Sequence, residues 1–232
     1  METYLVLFLL AGIVAMDTTS GPQILLSEPL VSCSALGLLF GNPETGLMLG
    51  TFFQLLWLGY LPLGGFAFTD NNMAAFISTA SLFSATEFFG LEGNAMKAAL
   101  IPIMLFGIFI GIVGLHIRNI ERRLNDKRSD ILLSSLERSE KVSVKWELFA
   151  GIGTSFLKGV LMAVIFIPIG TLICRIVVYL PSSFIDSMSL ASLIIWGTVS
   201  ASAVLFYSTK GKSISLILGS IGGFLWILFI MV

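Results

Sequence analysis

The sequence predicts an all-α, polytopic membrane protein with six to seven transmembrane or broken, re-entrant helices, and three observations lead there. Hydrophobic residues make up 56% of the 232, charged residues only 12%, and mean hydropathy is +0.97. Soluble domains carry about 25% charged residues, so a soluble fold of this size would lack the polar groups to cover its surface. Several charge-free stretches reach or approach the about 20 apolar residues that a membrane-crossing helix needs. A β-barrel would instead show short alternating strands, and none are visible.

Taken in order, residues 3–16 form a first apolar helix. Its length is that of a signal-peptide core, but only Glu2 precedes it and no basic region does, so it is expected to be a helix of the mature protein. Gly21-Pro22 stops it. Residues 23–40 hold Glu28-Pro29 in their middle, which disfavours one continuous helix because proline lacks an N–H and restricts the residue before it. Gly41-Asn42-Pro43 ends that segment. A charge-free run follows over residues 45–69, interrupted at Pro62-Leu63-Gly64-Gly65, and Asp70-Asn71-Asn72 opens the next helix, over 71–86. Further apolar stretches span 98–115, 159–174, 187–209 and 213–232.

Charge is concentrated between residues 116 and 147, where eight of the thirteen Lys and Arg lie beside six acids. An excess of Lys and Arg marks a cytoplasmic segment. The spacing of Ile117, Ile120, Leu124, Ile131, Leu132 and Leu136 predicts an amphipathic helix there, lying on the membrane or on a partner. The chain is therefore expected to divide into an N-terminal membrane half, 1–115, a cytoplasmic amphipathic loop, 116–147, and a C-terminal membrane half, 148–232. Lys210 and Lys212 make a second small basic turn. Because acids nearly cancel bases in the loop, nucleic-acid binding is disfavoured.

Broken backbone at membrane depth is tolerated where protein or a water-filled cavity satisfies the freed amides, and transporters place binding sites at such breaks. The polar groups near the breaks are Asp17, Gln23, Ser27, Glu28, Gln54, Asp70, Asn71 and Asn72. Carboxylates and amides suit sugar hydroxyls, which both donate and accept. Helix capping is the competing role for Asp17, Asn42 and Asp70, which adjoin turns or open helices. Gln54 and Glu28 lie inside apolar runs with no turn to cap, and a carboxylate at such depth is functional or paired. Gly37, Gly41, Gly46 and Gly50 read as close helix packing. Cys33 and Cys174 are isolated in apolar stretches and His116 is the sole histidine, so no metal, disulfide framework, cofactor or histidine-based catalysis is indicated. Arg175 is expected to snorkel or to pair with an acid.

One stretch carries a family resemblance. Asp17-Thr-Thr-Ser-Gly-Pro-Gln23, Ser27-Glu-Pro-Leu-Val31, the run from Leu36 through Gly41-Asn-Pro-Glu-Thr-Gly46 to Gly50, and Gln54 through Trp57 and Pro62 to Asp70 resemble the N-terminal signature of the IIC subunits of mannose-type phosphotransferase systems (the mannose, fructose and sorbose class). The second half agrees more loosely, through Leu180-Pro181, a long apolar helix and the basic turn at Lys210.

The resemblance implies a subunit that carries a hexose or amino sugar across the bacterial plasma membrane for phosphorylation by soluble IIA and IIB partners. It also implies a IID membrane partner, a larger oligomer, and no phosphoryl transfer from this chain alone. Carried over by position, it points to Gln23, Gln54 and Asp70 as substrate-binding residues, with Asn71 beside them. Glu28 stands where the family usually has Arg, Gln54 where it usually has Glu, and Phe68-Thr69 where it often has two prolines. The first two are either compensating changes or the mark of another substrate or of lost transport. A transport-defective membrane scaffold or sensor, using 118–145 to contact a partner, is the second expectation; a channel is disfavoured by the lack of a charged ring or filter motif.

Overall fold

A computed structural model describes residues 2–58, 69–138, 144–208 and 221. Its seven α-helices are α1 (Glu2–Thr19), α2 (Pro29–Leu39), α3 (Pro43–Leu56), α4 (Asn71–Phe89), α5 (Gly93–Glu137), α6 (Val144–Arg175) and α7 (Ser182–Ser208), with a short 3-10 turn, Ile176–Tyr179, before α7. No strand occurs among the described residues. The expected break at Pro62–Gly65, the Lys210 turn and, residue 221 apart, the apolar run 213–232 lie outside them.

The all-α expectation holds. α5, α6 and α7 each contain a stretch long and apolar enough to cross a membrane, and α1 and α2 add shorter apolar helices. Their exposed faces are greasy: Leu105, Phe109, Leu161, Ile165, Leu172 and Phe184 all point outward, as lipid-facing side chains do.

α4 is the exception, and it organises the rest. Every residue from Asn72 to Ala85 is buried. Its sequence, rich in Ala, Ser and Thr, is too mild to be a lipid-facing span but small enough to be enclosed on all sides. α1, α2, α3, α5 and α6 all pack against it. Ser81 Oγ donates to Ile167 O (3.2 Å) and Thr171 Oγ1 donates back to Ser81 O (3.3 Å), fastening α4 to α6. Gly90, in the left-handed conformation (φ 64°), closes α4 with its N–H on Thr86 O. Only a short turn then leads into α5.

The division at residue 115 falls inside a helix, since α5 runs unbroken for 45 residues through the charged segment. The amphipathic pattern is therefore the continuation of a span, not a separate surface helix. α6 packs against this extension, where Arg128 Nη1 donates to Ala150 O at 3.2 Å.

α2 and α3 form a tight hairpin. Asn42 Oδ1 accepts from Thr45 N (3.1 Å) as the N-cap of α3. Gly37, Gly46 and Gly50 bring the two backbones into contact: a Cβ at Gly46 would lie 2.6 Å from Cys33 O and 2.7 Å from Gly37 Cα. Trp196 of α7 anchors the hairpin by donating to Met48 O, at 3.0 Å. Arg175 is exposed and meets no acid among the described residues; its guanidinium lies over the Phe89 and Tyr179 rings, 5.7 and 5.6 Å from their centroids.

The hairpin contact is testable. Because the obstacles at Gly46 are backbone atoms, Gly46→Ala should destabilise by the about 1–3 kcal/mol typical of overpacking. Gly151→Ala, where a Cβ meets nothing within 4 Å, should be neutral or stabilising. Thermal unfolding of both variants in detergent checks this; equal transition temperatures would show that the hairpin is not held at backbone contact.

Candidate functional site

Four buried charges meet where α4 begins. Arg118 Nη2 donates to Asp70 Oδ1. Lys158 Nζ lies 3.5 Å from Asp70 Oδ2 and 3.0 Å from Glu121 Oε2. Asp70 is fully enclosed, and the other three are 6–7% exposed. Arg118 and Glu121 are three residues apart on α5, as are Ser155 and Lys158 on α6, so each helix offers two polar groups on one face. The set sums to zero charge, which is what lets it be buried at all.

The backbone is shaped to admit it. Gly114 leaves room for Asp70, whose Cβ would sit 2.6 Å from a Cβ added there, and Asp70 N donates to Gly111 O at 2.9 Å. The start of α4 is thus pinned to α5 by main chain and side chain together. Asp70 precedes the helix as a cap would, yet its side chain makes no capping hydrogen bond. Its carboxylate serves the cations instead.

The cluster extends to α1. Ser155 donates to Glu121 Oε1, and its hydroxyl lies 2.6 Å from that of Ser20 and 3.3 Å from that of Thr19. Asn72 Nδ2 donates to Thr18 Oγ1 (3.3 Å). A continuous polar seam therefore runs from the end of α1 through α6 and α5 to the start of α4. Arg118 Nε, buried within it, has no hydrogen-bond partner among the described residues.

A second polar group lies in the broken segment between α1 and α2. Asp17 accepts from Ile24 N (2.8 Å) and Ser27 N (2.9 Å), so it caps the following loop and not its own helix. That clasp holds Gln23 (φ 53°) and Leu25 (φ 67°) in the left-handed region, which is uncommon for side-chain-bearing residues. Gln54 reaches across from α3. Its Nε2 donates to Glu28 Oε2 at 3.0 Å and its Oε1 accepts from Leu30 N at 3.3 Å. Glu28 and Gln54, two of the positions that depart from the family pattern, are thus in direct contact as a hydrogen-bonded pair.

Of the sequence-predicted site residues, Gln54 is half-buried beside Glu28, Gln23 is exposed in the loop, and Asp70 sits at the centre of the charge cluster; Asn71, half-buried, is the first residue of α4. Gln54 and Asp70 bond to different partners. Arg118, Glu121, Ser155 and Lys158 were not foreseen. A lone lysine in an apolar helix was the available signal, since an ionisable residue at that depth is paired or functional; Arg118 was hidden among the charges of the basic segment.

Long apolar helices packed around a buried charge cluster define a multi-pass helical membrane protein. Comparison with known proteins makes the class specific. Residues 1–198 match the model of the family described as PTS system sorbose-specific IIC component. The chain is 40% identical over 52 residues to a sorbose-specific EIIC component of Lacticaseibacillus casei, a match covering 22% of this chain and 19% of that protein. It is 38% identical over 73 residues (32% and 27%) to the fructose permease IIC component of Bacillus subtilis, and 26% identical over 103 residues (44% and 37%) to the mannose-specific EIIC component of Escherichia coli K12. These matches span well under half the length of the curated relatives. A solved chain described as "Structure of membrane protein" shares the fold, with a TM-score of 0.61 at 18% identity over 100% of this chain and 96% of that one. The chain belongs to the sorbose-specific IIC family of the phosphotransferase system.

The geometry at Asp70 gives a sharp expectation. Asp70→Asn would leave Arg118 and Lys158 facing one carboxylate in a buried site, and removing one partner of a buried pair costs about 3–5 kcal/mol. Thermal unfolding in detergent should show a large drop. Asparagine is itself a good cap, so an unchanged transition temperature would mean that Asp70 acts only at the helix end.

Proposed function

We propose that this chain is the membrane-translocating IIC subunit of a mannose-type, phosphoenolpyruvate-dependent sugar phosphotransferase system. It carries a hexose or amino sugar across the bacterial plasma membrane, and partner subunits phosphorylate the sugar. The family match over residues 1–198 carries this reading. The interior supports it with polar groups held at interrupted helices, where a sugar can exchange water for protein hydrogen bonds.

In this reading Gln54 and Gln23 meet the sugar at the α1–α2 break, while Asp70 and Asn71 shape the inner end of the path. Arg118 Nε, buried with no hydrogen-bond partner among the described residues, is a donor available to a hydroxyl or to water beside it. A buried donor left alone costs about 1–3 kcal/mol, so a polar guest is stabilised there. The charged extension of α5 faces the cytoplasm by its excess of Lys and Arg. IIA and IIB supply phosphoryl chemistry from that side, a IID subunit completes the membrane part, and the assembly is oligomeric. Sorbose, fructose and mannose, named for the relatives, are the first sugars to test.

Uptake of labelled L-sorbose, D-fructose and D-mannose by cells expressing the chain with its neighbouring subunits tests the reading. Accumulation of at least one sugar as its phosphate is expected. Gln54→Leu should raise the half-saturating concentration roughly five- to 150-fold, from losing hydrogen bonds worth about 1–3 kcal/mol. The amount of protein in the membrane should be unchanged. Failure of all three sugars to accumulate would contradict translocation; unaltered uptake by Gln54→Leu would remove that residue from the site.

A further inference from the structure

A cavity of about 400 Å³ opens between the end of α1, the extension of α5 and the start of α6. Its polar lining is Thr19, Ser20, Asn125, Arg128, Ser129 and Glu147, and Leu132, Leu148 and Ile152 form an apolar wall. We propose that this cavity is a cytoplasmic-side subsite for the neutral sugar, occupied after it has left the interior and before it is phosphorylated. The proposal rests on the translocation reading above and adds a site beyond Asp70 on the cytoplasmic side.

The lining groups are held in place yet left with hydrogen bonds to make. Arg128 Nη1 is fixed on Ala150 O (3.2 Å) and Thr154 Oγ1 (3.4 Å). Asn125 Oδ1 faces Thr154 Oγ1 at 3.5 Å. Among the described residues no hydrogen bond engages Asn125 Nδ2, the Ser129 hydroxyl or the Glu147 carboxylate. Donors and acceptors are thus both on offer, which is what a hydroxyl needs, since it gives one hydrogen and accepts on its lone pairs. The apolar wall suits the C–H face of a sugar ring, and the volume falls in the range of about 300–1,000 Å³ seen for small-molecule sites.

Charge decides between a sugar and its phosphate. One cation, Arg128, and one anion, Glu147, line the cavity, so a neutral guest meets no net field. A phosphate would face the Glu147 carboxylate with a single guanidinium to hold it, part of which is already spent on α6. The cavity should therefore hold free sugar and release the phosphorylated product, a useful bias for one-way uptake.

Its place in the fold connects it to the charge cluster. Ser20, in the cavity wall, lies 2.6 Å from Ser155, which donates to Glu121; Lys158 links Glu121 to Asp70. The cavity floor is thus the outer end of the polar seam that reaches the start of α4. Water alone could satisfy an isolated surface crevice, but that would not account for its continuity with the buried charges.

Maleimide labelling of Ser129→Cys in inside-out vesicles from cells expressing the full set of subunits tests this, with no phosphoryl donor present. The native Cys33 and Cys174 are buried and provide a low background. L-sorbose, D-fructose and D-mannose are the probes, alongside inorganic phosphate, and uptake is measured in the same cells. A sugar that the cells accumulate, added at four times its Kd, should slow labelling about fivefold by occupancy. Asn125→Ala and Glu147→Gln should abolish that protection. Unprotected labelling with an accumulated sugar would overturn the subsite while leaving translocation intact. So would protection by phosphate in place of sugar, or protection that both variants retain, which would place the sugar elsewhere. If the cells accumulate none of the sugars, the translocation reading fails and the subsite falls with it.

Discussion

The neutral sum of four buried charges is the constraint on which the interior depends. Asp70, just before α4, clusters with Arg118 and Glu121 of α5 and Lys158 of α6, and none could be buried in its charged form without the others. Taking an ion out of water costs several kcal/mol even after relaxation, and mutual attraction offsets this only when geometry is good. A hydrophobic replacement could serve stability as well. What charges add is register: Arg118 meets Asp70 only when α4 starts at this height along α5, and Lys158 bridges two carboxylates only when α6 is at matching depth. Gly114, which leaves space for Asp70, is the steric counterpart of that electrostatic demand.

The rest of the architecture follows from enclosing α4. A helix of small and mildly polar residues cannot face lipid, so its neighbours surround it, and their own outer faces carry the large apolar side chains. Glycines close other helix contacts too. A Cβ at Gly159 would lie 2.4 Å from Ala11 O, and one at Gly107 would strike the Phe53 ring. The α2–α3 hairpin uses the same device and adds a polar clasp. There Gln54 does two tasks, capping the first turn of α2 through Leu30 and orienting the Glu28 carboxylate. Asp17 holds the loop that leads into this hairpin. Broken segments are thus defined by specific hydrogen bonds, and this is why they can present polar groups in a fixed arrangement.

Much of this was legible in the sequence. Long charge-free runs gave the helices, Glu28-Pro29 the break before α2, and Gly41-Asn42-Pro43 the hairpin turn with Asn42 as cap. Motifs between residues 17 and 70 gave the family. The charge cluster was not legible, for a physical reason: pairing across helices depends on rotation and height, which a hydropathy pattern does not encode. Arg118 and Glu121 begin a stretch that is otherwise solvated, so they read as surface charges. The continuity of α5 was missed for the same cause, since a drop in hydropathy marks the end of an apolar environment and not the end of a helix. Asp70 was singled out for proximity to a sugar, and its immediate partners proved to be two cations.

The central claim is that Asp70 and Arg118 act as one coupled unit in setting the interior. A double-mutant cycle measures that coupling most directly, using Asp70→Asn, Arg118→Gln and the combined variant, with unfolding free energies determined in detergent at one ionic strength. Residues in direct contact within such a network couple by about 0.5–3 kcal/mol. The account predicts a value in the upper part of that range, with the combined variant more stable than the sum of the single losses would give. Additive losses, within about 0.5 kcal/mol, would contradict it and show that the charges are neighbours without being partners.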